Sequence, residues 1–151
     1  MREKVVYFPL QRRDGCSQEM EKIFRKRKVI NTVYHRLSCT SSKKTISWLK
    51  KYGIPVEVVR IENITKEALI QLLSLTDGGI NDIIKNKTRS NSVVLHKVKH
   101  LESLSFNEAL EYLLQNPILL KSPLLIGDNK YMIGFHSENI REFMPKAYRR
   151  H

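Results

Sequence analysis

A run of β-branched and aromatic residues that ends in a capped helix, with a second such run after it, most narrows what this chain can fold into. Val29-Ile30-Asn31-Thr32-Val33-Tyr34-His35 reads as a buried strand. Arg36-Leu37-Ser38-Cys39-Thr40-Ser41-Ser42 then forms a polar loop rich in residues that cap helices. A helix is predicted from there to about Tyr52, because Thr45, Trp48, Leu49 and Tyr52 share one face at i, i+3, i+4, i+7 spacing. Gly53 stops it, and Pro55 opens a second strand over Val56-Glu57-Val58-Val59-Arg60. A strand–helix–strand unit of about thirty residues implies parallel strands with a right-handed crossover.

The middle of the chain reads as a helical insert over about residues 64–116. Leu69, Leu72 and Leu73 form a stripe after Thr65, Thr76-Asp77-Gly78-Gly79 breaks it, and Ile80, Ile83 and Ile84 restart it. Val93-Val94-Leu95 fits a strand or a buried helix equally, since periodicity does not separate them. Ser105-Phe106-Asn107-Glu108 is a capping box, with Phe106, Leu110, Leu113 and Leu114 following on one helical face. Pro123-Leu124-Leu125-Ile126 and Lys130-Tyr131-Met132-Ile133-Gly134 flank Gly127-Asp128-Asn129 and read as a hairpin. Ser137 is placed as the cap of a last helix with Ile140, Phe143 and Met144 inward, ended by Pro145. The order β-α-β, helical insert, β-β-α is the thioredoxin-like α/β arrangement.

Charge bears on partners. The 151 residues carry 27 Lys and Arg against 15 Asp and Glu, a net charge of +12, which favours an acidic partner. Residues 1–28 hold 9 of those basic residues against 4 acidic ones and read as a basic extension, either a solvated end or not part of the native protein. Residues 29–151 form the folded domain. Lys146-Ala147-Tyr148-Arg149-Arg150-His151 is a basic tail, read as solvated. Direct DNA binding driven by charge alone lacks a recognition-helix motif. Two cysteines, Cys16 and Cys39, provide no disulfide framework and no zinc-ligand pair. His96 and His100 lie four apart without a third ligand nearby and read as surface residues. No stretch approaches a membrane span, so the expectation is a reduced, cytoplasmic protein with no metal, no cofactor and no membrane partner.

Cys39 carries the most chemistry. It lies after a strand at the mouth of a helix, where free backbone N–H groups and the helix dipole stabilise a thiolate. Lys43 and Lys44 add positive potential one turn in. Ser42 stands three residues on, so Cys39 has no neighbour for an internal disulfide and oxidises to a mixed disulfide or a sulfenic acid.

The stretch Thr32–Ser42 resembles the active-site loop of the glutaredoxin-coupled arsenate reductase family. Leu75–Ile84 with Thr88-Arg89-Ser90, Asn116–Ile126, and Ile133-Gly134-Phe135 leading to Ile140–Pro145 are similar to the Spx branch of the same superfamily. The resemblance covers about residues 29 to 148, and the family domain is expected to begin at or near Val29. The reductases imply three arginines around the catalytic thiol. Arg89 stands at the first position, but Ser122 and Phe135 occupy the other two, which opposes arsenate reduction. The Spx branch implies a non-enzymatic transcription regulator that binds the C-terminal domain of the RNA polymerase α subunit under thiol stress, with promoter DNA only as part of that complex. On that resemblance Gly79, with Gly78 and Arg89, lies at the polymerase contact, while Arg89 and Pro123 support the thiol loop around Cys39 and Ser42. Pro123 is expected to follow a cis peptide. The chain departs from the Spx pattern at Ser74, where a basic residue is usual, at Ser42, where a second cysteine is usual, and in a longer segment between Ile84 and Thr88. The alternative function is a thiol-dependent reductase that uses Cys39 with a glutathione-type or glutaredoxin partner.

Overall fold

The computed structural model describes residues 5–6, 31–87 and 90–144. These described residues fall into two compact units, one made of those up to Arg60 together with those from Ser122 on, and the other of those between Ile61 and Lys121.

The first unit is built on a five-stranded sheet. Its strands are β1 (Val5–Val6), β2 (Asn31–His35), β3 (Val56–Arg60), β4 (Leu124–Ile126) and β5 (Tyr131–Ile133), in the spatial order β1-β3-β2-β4-β5. β2 and β3 are parallel with Val33 opposite Val58, as the crossover through helix α1 (Thr40–Lys51) requires. β4 runs antiparallel to β2 and to β5, which gives the hairpin expected from the sequence. Its turn closes with the Gly127 N–H donating to the Lys130 carbonyl at 2.8 Å. Val5 and Val6 pair antiparallel with Glu57 and Val56 at the sheet edge.

Helix α1 buries Thr45 and Leu49 and lays Trp48 and Tyr52 partly on the same core, their rings 4.5 Å apart. Leu49, Ile54, Val56, Val33, Leu125, Met132 and Phe143 form that core. Burial of each large aliphatic side chain there contributes about 1.5–3 kcal/mol. Tyr52 caps the helix and Gly53, at φ 65°, turns the chain out of it into Ile54 and β3.

The second unit is helical. Thr65 caps α2 (Lys66–Leu75), its hydroxyl accepting from the Ala68 N–H at 3.1 Å. α3 (Ile80–Ile83) is a single turn, and the chain leaves it to bridge Ile84 with Leu120. The ambiguous stretch is helix α4 (Ser92–Glu102): the Asn91 side chain caps it, and Val94, Val98 and Leu101 are buried at i, i+4, i+7. α5 (Phe106–Gln115) starts with the full capping box of Ser105 and Glu108 and buries Ala109, Leu110 and Leu113.

Two expectations are corrected. Phe106 does not share the buried face of α5; it is 55% exposed. As the first residue after the cap it directs its side chain back past the helix start, off the stripe that Leu110 and Leu113 form. The last helix is a short 3-10 segment, Asn139–Phe143, and its cap position is Glu138 with no side-chain bond, not Ser137. Ile140 and Phe143 are buried three residues apart, a spacing that three residues per turn aligns, and Met144 joins them. Pro145 lies outside the described residues.

Candidate functional site: the thiol loop and the glycine turn

Cys39 is the cap of α1, with extended backbone (φ −89°, ψ 118°) that lets the helix begin at Thr40. Its N–H donates to the Arg36 carbonyl at 3.0 Å, which closes the loop after β2. Its sulfur accepts from the Ser42 N–H at 3.4 Å, the place a serine oxygen takes in an ordinary cap. The protonated thiol donates to the Ser122 carbonyl, with Sγ 3.7 Å from the oxygen. Partial burial pushes the thiol up, but hydrogen bonds from the Ser122 and Ser42 side chains and from the Ser42 and Ser41 N–H groups outweigh it, and the net shift is downward. Hydrogen bonds from the first turn of α1 and from Ser122 together bring the thiol down against its partial burial.

Ser42 is almost fully buried, and its oxygen accepts from the Arg36 N–H at 3.2 Å. The Arg36 guanidinium reaches across to the other side of the thiol, where it donates to the Ser122 oxygen at 3.1 Å. The Ser122–Pro123 peptide is cis, as the resemblance implies, and Pro123 is buried. The structure therefore brings Cys39, Ser42, Ser122 and Pro123 together. It adds Arg36, which the sequence marks only as a loop residue. Arg89 lies outside the described residues, as does Cys16. Phe135, at a position where the reductases carry arginine, is half-buried and packs on the core of the first unit.

In the second unit, Gly79 begins α3 at φ 66° and ψ −139°, a backbone conformation that residues other than glycine rarely adopt. A Cβ there would meet no atom within 4 Å, so conformation and not crowding selects the glycine. The Gly78 N–H donates to the Asp82 carboxylate at 2.8 Å, folding the turn back on α3. Gly78 is exposed and Gly79 half-exposed, with the exposed Asp77 beside them.

The His100 ring lies tilted against that of Tyr112 with centroids 4.9 Å apart, and His96 is exposed. Among the described residues no group of three or more His, Cys, Asp or Glu side chains is placed to hold a metal ion. No helix among them is long and apolar enough to cross a membrane.

A thiol at a helix start, facing a cis-proline loop on a β-α-β and β-β frame, defines a thioredoxin-like protein. The model of the ArsC family matches residues 34–143, and the chain belongs to that family. Among curated relatives, the global transcriptional regulator Spx of Streptococcus pneumoniae is 34% identical over 122 residues, covering 79% of this chain and 89% of its own. The global transcriptional regulator Spx of Listeria innocua is 32% identical, covering 78% and 89%. The solution structure of SACOL0876 from Staphylococcus aureus matches with a TM-score of 0.61 at 26% identity, over 74% of this chain and 96% of that one. An arsenate reductase from Vibrio cholerae shares the fold, with a TM-score of 0.56 at 19% identity over 76% and 95%.

Proposed function

We propose that this protein is a cytoplasmic transcription regulator that docks on the C-terminal domain of the RNA polymerase α subunit through the turn at Gly78 and Gly79. The observation that carries this reading is similarity to proteins named Spx over 89% of their length. The glycine turn supports it: an accessible backbone with no side chain at Gly79 lets a partner approach closely. Arg89 belongs to the same proposed contact. Promoter DNA enters only through the complex with polymerase.

Cys39 is then a single-thiol sensor beside the docking function. A second reading, a reductase that uses Cys39 as nucleophile, draws support from the Cys39–Ser42 loop and from the lowered thiol. Against it, Ser122 and the core residue Phe135 occupy two positions where the reductases hold an oxyanion with arginine.

The test is an NMR titration of the isotope-labelled C-terminal domain of the α subunit with the full chain and its Gly79→Arg variant. Saturable shifts are expected with the native chain, and their loss with the variant. Absence of binding at high micromolar concentration overturns the proposal and directs attention to mixed-disulfide and reductase turnover assays on Cys39.

A further inference from the structure

Arg36 touches both serines whose groups reach the sulfur of Cys39. Its backbone N–H donates to the Ser42 oxygen at 3.2 Å and its guanidinium to the Ser122 oxygen at 3.1 Å. In both contacts Arg36 is the donor, so each serine oxygen that receives an N–H keeps its own O–H to give elsewhere. Ser42 is 1% exposed, which denies that proton a water partner; the Ser42 N–H and the Ser122 carbonyl meet the Cys39 sulfur at 3.4 and 3.7 Å, and both serine side chains draw the thiol pKa down. We propose that Arg36 is a positioning residue for the Cys39 thiolate, acting through the Ser122 hydroxyl and, by its backbone, through Ser42.

The device is independent of polymerase docking, since it concerns the first unit alone. Tyr34 and His35 on β2, and Lys43, Lys44, Lys50 and Lys51 on α1, are the other titratable groups on the described elements that meet at the thiol, and Lys121 directly precedes Ser122 in the chain. They stay constant across the variants, so differences between variants report Arg36.

The experiment follows carbamidomethylation of Cys39 by iodoacetamide in the full chain against pH, read on the Cys39 peptide by mass spectrometry. The thiolate sulfur forms the new C–S bond and iodide leaves with the bonding pair, so the rate tracks the thiolate. Arg36→Ala is expected to move the midpoint of the pH profile upward and to slow alkylation several-fold near neutral pH. Ser122→Ala is expected to do the same, and the double variant no more than either single one. An unchanged midpoint in Arg36→Ala overturns the proposal. So does an undiminished effect of Arg36→Ala in the Ser122→Ala background, because the guanidinium would then act on the sulfur directly. Ser122→Ala removes a partly exposed hydroxyl only, so it reads the relay even if Arg36→Ala disturbs the loop.

Discussion

Replacing Gly79 with alanine separates the conformational role of the turn from any contact it makes. The backbone there sits at φ 66° and ψ −139°, and an added Cβ has no atom within 4 Å. Steric collision with neighbours therefore contributes nothing, and the cost is that of holding an L-residue in a glycine conformation, about 1–3 kcal/mol. Gly78→Ala differs in kind: its Cβ would run into the Asp82 carboxylate, the free end of a side chain that swings into solvent. That loses one exposed hydrogen bond, about 0.5–1 kcal/mol. Urea denaturation of the two variants should show midpoints lowered with unchanged slope, Gly79→Ala more than Gly78→Ala. Thermal midpoints should fall by roughly 2–4 °C per kcal/mol for a chain of this size. A Gly79→Ala protein as stable as the native one, within about 0.5 kcal/mol, or a reversed order of the two variants, refutes the reasoning. The same variant serves binding experiments: it carries the strain of Gly79→Arg without its bulk, so a polymerase contact predicts that arginine abolishes binding while alanine retains it.

Leu49→Ala removes a fully buried side chain from the core between α1 and the sheet and should cost about 2–5 kcal/mol by denaturant titration. A loss below about 1 kcal/mol would mean that this core is not packed as described. Phe106→Ser should change stability by less than about 0.5 kcal/mol in the same assay, because the ring is largely exposed, whereas the helical stripe alone would predict a core-sized loss. Ser105→Ala should cost about 0.5–2 kcal/mol through loss of the capping box of α5. Glu108 in that box is held below the usual glutamate range by the Ser105 N–H and hydroxyl, so its contribution is present above that range and lost as pH falls through the folded value. Glu108→Gln should flatten that part of the acid denaturation profile, and an unchanged profile contradicts the assignment.

Local signals made most of the fold legible. The Thr45–Leu49 face, Gly53 and Pro55 delimit α1 and β3 within a few residues, and Ser105 with Glu108 marks the start of α5. Val93-Val94-Leu95 is ambiguous in sequence because three apolar residues fit either period; the Asn91 cap, with Val98 and Leu101 further on, decides for helix, and Val93 faces out at 61% exposure. The last segment escapes a sequence reading because a five-residue 3-10 turn shares its apolar spacing with the first turn of an α-helix. At the thiol, Cys39 is legible from its place between strand and helix. Arg36 is not, since its partner Ser122 lies 86 residues away and only the folded sheet brings β2 beside β4. The pieces of that signal are present, a loop arginine and a serine directly before Pro123, but nothing local joins them.

The central claim is regulation of transcription through the C-terminal domain of the α subunit. In vitro transcription with polymerase reconstituted from full-length or truncated α, with increasing amounts of the full-chain protein, tests it most directly. The protein is predicted to change transcript yield with the full-length enzyme and to have no effect once the C-terminal domain of α is deleted. An effect of equal size on the truncated enzyme would contradict the claim.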